Sequence, residues 1–176
     1  MYFVTSNKNK LREFEEILEI KLEQIELDLD EIQEIDVKKV IEHKASEAYA
    51  KIQKPVIVED TGLYIESWKG FPGALAKWVD KTIGFKNIPH LLKGDRRARA
   101  ETAVGYYDGK EFRSFRGKIE GSIPTKPRGE TGFGWDTIFV PEGHEKTFAE
   151  MDAEEKNKIS MRRSALEKLK LFLHDK

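Results

Sequence analysis

The feature that most constrains the fold is a short run of β-branched residues that follows Pro55 and ends in two acids. Residues 56–58 are valine or isoleucine and predict a buried strand, and the Glu59-Asp60-Thr61-Gly62 segment predicts that this strand stops at a tight turn. In open α/β sheets, ligands bind at strand ends, so a carboxylate of this pair is a candidate for holding a metal or taking a proton from water. The alternative is that both acids simply cap the turn.

Composition indicates a single folded domain that covers residues 1–176. With 39% apolar residues the chain can bury a substantial core, and no linker or internal repeat divides it. Because 31 Lys and Arg nearly balance 32 Asp and Glu, no net field favours nucleic acid or an anionic membrane. Residues 1–5 lack the features of a signal peptide and no apolar run is long enough to span a membrane, so we expect a cytoplasmic protein.

The residue types also limit which metals the protein can bind. The chain has no cysteine, and His43, His90, His144 and His174 are too scattered to indicate a histidine site. Any metal is therefore expected to have oxygen ligands, which favours Mg²⁺ or Mn²⁺.

The N-terminal segment predicts an anion site at the start of a helix. Residues 2–4 read as a strand, and the Thr5-Ser6-Asn7-Lys8-Asn9-Lys10 segment then precedes an amphipathic helix. Free backbone N–H groups, the helix dipole and the two lysines suit a phosphate. An equally good interpretation is that Asn7 is only an N-cap and that both lysines are solvated.

A second helix is predicted to begin after Asp36 and to carry a lysine on its apolar stripe. Residues 24–29 alternate as a half-buried strand does, and an acidic connection, residues 30–35, leads to the helix. Lys44 lies three residues after Ile41 on the apolar side, where an ammonium group needs an anion. The alternative is a side chain that snorkels from the edge of the stripe.

The second half of the chain predicts an antiparallel hairpin and an aromatic loop. Asp108-Gly109 lies between two alternating segments, and the basic run at residues 96–99 is interpreted as the solvated start of the first. The segment Phe133-Gly134-Trp135-Asp136 joins two aromatic rings to a carboxylate, which suits stacking on a nucleobase. It also suits a simple hinge before a strand at residues 137–140.

The last helix is predicted to start at Asp152, with Glu155 completing a capping box. Lys156, Arg162 and Arg163 fall on or beside its apolar stripe. Because buried cations without partners are costly, they require either a bound polyanion or acids of the core.

Taken in order, these segments resemble the inosine triphosphate pyrophosphatase family, also called Ham1-like or non-canonical purine NTP pyrophosphatases. The resemblance covers nearly the whole chain. It is carried by residues 5–10, by Val58-Glu59-Asp60-Thr61-Gly62, by Gly70-Phe71-Pro72-Gly73, by Gly132-Phe133-Gly134-Trp135-Asp136, and by residues 147–151 and 154–160.

The resemblance implies a mixed α/β fold with an elongated, twisted central sheet, helices on its faces and two lobes that flank a substrate cleft. It implies a homodimer and Mg²⁺-dependent hydrolysis of ITP, dITP and XTP to the monophosphate and pyrophosphate. By the same resemblance, Glu31 and Asp60 bind the metal and Asp60 is the base. The other implied substrate contacts are Thr5 to Lys10, Lys44, Thr61, Lys77, Phe133 to Asp136, Lys156, Met161 and Arg162.

One position departs from the family pattern, and two other functions stay open. The family usually has Ser-His-Arg where this chain has Ser160-Met161-Arg162, and a thioether offers no donor to a purine oxygen. The alternatives are a nucleotide-binding module without activity and a Maf-like pyrophosphatase that acts on modified pyrimidine nucleotides.

Overall fold

The computed structural model describes all 176 residues and has one seven-stranded sheet that is flanked by helices. The strand order is β2-β1-β3-β5-β6-β7, with β4 against β3; β1 is parallel to β2 and β3, and the other pairs are antiparallel. The predicted mixed α/β class is therefore confirmed. The strands are β1 Tyr2–Val4, β2 Glu23–Ile25, β3 Val56–Ile65, β4 Pro72–Gly73, β5 Arg97–Tyr107, β6 Phe112–Ser122 and β7 Val140–Pro141.

Six α-helices accompany the sheet, and three of them, α1, α2 and α5, begin after the predicted caps Asn7, Asp36 and Asp152. The Asn7 side chain accepts the N–H groups of Asn9 and Lys10, and the Asp36 side chain accepts that of Lys38. No helix has both the length and the apolar character that crossing a membrane requires. The helices are α1 Lys8–Leu18, α2 Val37–Ile52, α3 Ala76–Thr82, α4 Ile88–Leu91, α5 Ala153–Ile159 and α6 Met161–His174.

Strand β3 is the element that joins the hydrophobic cores. Ile57 packs in a cluster with α1 and α6, whereas Val56 and Val58 pack in a second cluster with α2 on the opposite face. Beyond them, Leu63 and Ile65 enter a third cluster with α3 and α4. Because successive side chains of a strand alternate between faces, residues 57, 59 and 61 face α6 and residues 56, 58 and 60 face α2.

The sheet has a gap along one edge of β3. Strand β5 pairs with β3 from Val56 to Ile65. On the other edge, β1 reaches only Val56 and Ile57, and β4 reaches only Leu63 and Tyr64. Residues 58–62 therefore have a strand partner on one side only, and their other edge is open.

The predicted turn at residues 59–62 is wrong, since β3 continues through the two acids. Strand β5 offers hydrogen-bond partners along this whole stretch, so the chain has no reason to turn. Gly62 serves close packing instead: a Cβ there would lie 2.8 Å from Tyr64 and 2.9 Å from the Gly73 backbone. The glycine thus lets β4 approach the sheet.

Three other boundaries also differ from the predictions. The strand expected at residues 24–29 ends at Ile25, because Leu27 and Leu29 pack beside the α2 cluster without a strand partner. Residues 136–138 form a 3-10 turn rather than a strand, since the Asp136 carboxylate accepts the Phe133 N–H at 2.8 Å. The last helix is split at Ser160, whose extended backbone ends α5 and whose hydroxyl caps α6.

Candidate active site

A cleft of about 640 Å³ opens at the gap in the sheet and brings most of the predicted site residues together. Lys8 and Asn9 are the two that do not line it, because they point outward from the first turn of α1 and are exposed. The predicted residues in its walls are Thr5, Ser6, Asn7, Lys10, Glu31, Lys44, Asp60, Thr61, Lys77, Phe133, Gly134, Trp135, Asp136, Lys156, Met161 and Arg162.

The adjacent acids of β3 face opposite sides of the sheet and differ in availability. Asp60 Oδ1 accepts a hydrogen bond from Lys44 Nζ at 2.7 Å, and its Oδ2 receives none from the protein. Glu59 is buried: its Oε2 lies 2.5 Å from Lys10 Nζ, and its Oε1 accepts from Arg162 at 3.0 Å and from the Thr61 hydroxyl. Of these two acids, Asp60 is therefore the one with an oxygen free for a ligand in the cleft.

The same surroundings separate the pKa values of the two carboxyl groups. Burial raises the pKa of Asp60, and Lys44 and Lys10 only partly oppose this effect. Burial acts on Glu59 as well, but the nearby Lys10 and Arg162 outweigh it and lower the pKa of Glu59 to about 2. Asp60 is thus the more basic carboxylate, whereas Glu59 stays ionised and holds its cationic neighbours.

The low pKa of Glu59 predicts a specific loss of stability in acid. Because its folded pKa of about 2 lies below the ordinary value of 4.5, ionised Glu59 stabilises the fold above pH 4.5. This contribution, about 3 kcal/mol, is lost as the pH falls from 4.5 towards 2. We expect the free energy of unfolding of Glu59→Gln to fall less steeply over that interval than that of the wild type.

Urea unfolding at a series of pH values measures the two slopes. Glu26→Gln, which changes an exposed acid of the loop after β2, should keep the wild-type slope. Parallel curves for Glu59→Gln and the wild type would contradict the assigned role of Glu59.

The inward cations of the last two helices are neutralised by core acids. Arg162 donates to Glu13, and Lys156 Nζ lies 2.8 Å from Asp136 Oδ2 and 3.4 Å from Glu13 Oε1. Only 2% of Arg162 and 6% of Lys156 and Glu13 is exposed. The sequence left two explanations open for these cations, a bound polyanion or acids of the core. The structure pairs both cations with acids of the core. Arg163 instead pairs with Glu167 outside this network.

Glu13 was not predicted as part of the site. A charged residue on a surface helix is usually solvated, so composition gives no reason to single it out. The position of Glu13 does give a reason to single it out. Glu13 lies four residues before the buried Ile17 and therefore on the edge of the apolar stripe of α1. A carboxylate there, like Lys44 on α2, needs a partner of opposite charge.

The aromatic loop forms one wall above this network. Lys156 Nζ lies 4.6 Å from the centre of the Phe133 ring, and Trp135 meets Phe85 edge-on at 5.6 Å. Asp136 is 4% exposed and its Oδ2 is shared by Lys156 and the Phe133 N–H, so this carboxylate fixes the shape of the loop. Met161 lines the cleft but is almost entirely buried, and it packs in the third cluster. Direct contacts of Asp136, Arg162 and Met161 with a base stay predictions.

The acidic loop meets α3 across the mouth of the cleft. Glu31 Oε1 and Lys77 Nζ are 2.5 Å apart, and both side chains are partly exposed. The hydrogen bond from Lys77 lowers the pKa of Glu31. Besides Lys156–Asp136, the cleft therefore contains three lysine–carboxylate pairs, Lys10–Glu59, Lys44–Asp60 and Lys77–Glu31, which are supplied by α1, α2, α3, β3 and the acidic loop.

Comparisons with known proteins agree on one family. The family model described as the Ham1 family matches residues 1–172. The chain is 41% identical to the dITP/XTP pyrophosphatase of Thermococcus kodakarensis, over 98% of this chain and 96% of the relative. It is 43% identical to the inosine triphosphate pyrophosphatase of Yarrowia lipolytica, over 99% of this chain and 95% of the relative.

Solved structures give the same result for the fold. A HAM1 protein from Coxiella burnetii superposes with a TM-score of 0.88 at 27% identity and full coverage of both chains. The Staphylococcus aureus Ham1 protein superposes with a TM-score of 0.84 at 26% identity, and 99% of each chain is covered. The similarity thus extends over the whole fold of this chain.

Proposed function

The chain belongs to the Ham1 family, and on that premise we propose that it hydrolyses non-canonical purine nucleoside triphosphates to the monophosphate and pyrophosphate. ITP, dITP and XTP are the expected substrates, and their hydrolysis removes damaged purines from the nucleotide pool. The observation that carries the proposal is one cleft in which the lysine–carboxylate pairs lie below an aromatic loop. Relatives over 40% identical are named for this activity.

The residues at the cleft fit a hard divalent cation. Asp60 Oδ2 has no protein donor, the Glu31 carboxylate is partly exposed to the cleft, and oxygen donors of this kind suit Mg²⁺, with Mn²⁺ as an alternative. We propose Glu31 and Asp60 as the ligands. When bound, the ion neutralises phosphate charge and favours attack at phosphorus.

The remaining steps are proposed for residues of the chain itself. Lys10, Lys44 and Lys77 bind and orient the triphosphate, and the positive end of the α1 dipole adds to their field. Asp60 takes the proton of the attacking water, because burial raises its pKa towards that of a useful base. The Phe133 and Trp135 rings give the purine a surface on which to stack.

Selection of a 6-oxo purine requires donors that face O6 and an acceptor that faces the N1–H group. Adenine would leave such groups unpaired, and sites of this kind discriminate by ~10⁴ or more. Asp136 and Arg162 stay the proposed readers, and both would need to exchange a protein partner for the base.

A panel of nucleotides tests the function. The protein is incubated with Mg²⁺ and ITP, XTP, ATP, GTP or a pyrimidine triphosphate, and pyrophosphate and orthophosphate are assayed separately. We expect pyrophosphate from ITP and XTP and little product from ATP. Preference for pyrimidines would favour the Maf-like alternative, and absence of turnover with every nucleotide would favour a binding module.

Three further properties stay predictions for this chain: a homodimer, a cytoplasmic location, and the absence of nucleic-acid or membrane partners. Sedimentation of the purified protein at several concentrations tests the first.

A further inference from the structure

We propose that the lysines and carboxylates of the cleft exchange partners when substrate binds, so that metal and nucleotide each bind weakly alone and strongly together. This inference rests on the proposed function, and it assigns to Lys77 and Lys44 a second role besides holding phosphate. Each of them occupies a carboxylate that the metal needs, until a phosphate draws the lysine away.

The ion pairs of the free protein carry the inference. Lys44 Nζ lies 2.7 Å from Asp60 Oδ1 and Lys77 Nζ lies 2.5 Å from Glu31 Oε1. The two proposed metal ligands are therefore both neutralised by ammonium groups that line the same cleft. No other lysine or arginine lies within ion-pair distance of either carboxylate.

Coulombic competition gives the expected direction. A divalent ion that arrives alone meets two carboxylates whose charge an ammonium group already neutralises, so it either binds weakly beside the ammonium groups or displaces them and leaves them without an anion. A polyphosphate that arrives alone has to separate the same pairs and leaves the carboxylates without a cation. When both arrive, each lysine gains a phosphate and each carboxylate gains the metal, so the separation of the pairs is compensated on both sides.

The Lys77–Glu31 pair is the better one to test. Its side chains are 55% and 38% exposed and belong to α3 and the acidic loop, so changing either one does not open the core. Lys44 and Asp60 are only 20% and 14% exposed, and changes there affect packing as well.

The first measurement is calorimetric titration of nucleotide-free protein with Mn²⁺. We expect Lys77→Met to bind Mn²⁺ more tightly than the wild type, by about fivefold or more, because Glu31 is no longer neutralised. Lys81→Met is the matched control, since Lys81 lies on the same helix, 4.9 Å from the centre of the Trp78 ring, and acts on Glu31 through its charge without an ion pair. Its change reports the loss of nearby positive charge, so the gain in Mn²⁺ affinity should be smaller than that of Lys77→Met. Equal gains in the two variants, or equal affinities for Lys77→Met and the wild type, would overturn the inference.

The second measurement is titration with ITP in the presence of EDTA. We expect Glu31→Gln to bind metal-free ITP about fivefold more tightly than the wild type, because it releases Lys77 for phosphate. Asp28→Asn is the control: Asp28 is an acid of the same cleft whose carboxylate has no ion pair, and Lys51 contacts only its carbonyl oxygen, so its change reports the loss of local negative charge. Equal gains in Glu31→Gln and Asp28→Asn, or no gain in Glu31→Gln, would overturn the exchange.

Neither titration depends on turnover, so the two proposals fail separately. A protein that releases pyrophosphate from ITP but gives unchanged affinities keeps its function and loses the exchange. A protein without turnover on any nucleotide loses the proposed function, whatever the titrations show.

Discussion

Asp60→Asn should lower the rate of pyrophosphate release from ITP by at least about a thousandfold while leaving the fold intact. Asparagine keeps the shape of the side chain but can neither accept the proton of water nor carry the charge that a metal needs, and each loss alone is typically large. Asp60 is also the only carboxylate of β3 with an oxygen free of protein donors. Steady-state release of pyrophosphate at saturating Mg²⁺ measures the effect.

Asp28→Asn provides the comparison for this result. Asp28 is another acid of the cleft, but it is exposed and its carboxylate forms no ion pair, so its change should lower the rate only slightly. Circular dichroism and thermal unfolding of both variants check the fold. A rate for Asp60→Asn within tenfold of the wild type would remove Asp60 from the proposed chemistry.

Glu13→Gln should lower the free energy of unfolding by about 3 kcal/mol, a large effect for a substitution that keeps size and shape. Glu13 contacts both Arg162 and Lys156, and all three side chains are almost entirely buried. Without the Glu13 charge, only Glu59 and Asp136 remain to neutralise these two cations. Urea unfolding at pH 7 gives the difference in free energy.

Glu16→Gln tests whether the burial of Glu13 is the reason for the expected loss of stability. Glu16 lies on the same helix, but its side chain is 47% exposed and its pair with Arg12, at 3.8 Å, is on the surface. Surface pairs of this type contribute about 0 to 1 kcal/mol, so Glu16→Gln should change stability little. Similar losses in the two variants would show that the buried network does not hold α1 against α6.

Sequence patterns predicted the elements well where local signals decide them. The caps at Asn7, Asp36 and Asp152 and the Asp108-Gly109 hairpin depend on side chains within a few residues, and the structure has all of them. The extent of β3 depends on β5, which lies about forty residues further along the chain. The two acids and the glycine locally favour a turn, and the long-range strand pairing overrides that preference.

The sequence predicted most of the residues that line the site, but it did not predict which acid pairs with which cation. Lys44 and Lys156 lie on or beside apolar stripes, and this position predicted an anionic partner for each of them, with snorkelling as the alternative for Lys44. Which acid serves which cation depends on the order of the strands, so the sequence could not separate Asp60, with its free oxygen, from the fully occupied Glu59. Glu13 was missed because its partners on α5 and α6 lie about 140 positions away.

The alternation of side chains along β3 has a consequence for how this chain can vary in length. A single residue inserted just before Glu59 would move the Glu59 carboxylate to the side of Lys44 and the Asp60 carboxylate to the side of Arg162. Every hydrophobic neighbour further along the strand would change sides as well. The register of this strand is therefore fixed both by the hydrophobic cores and by the chemistry of the cleft. We expect insertions to be tolerated in the acidic loop but not in β3.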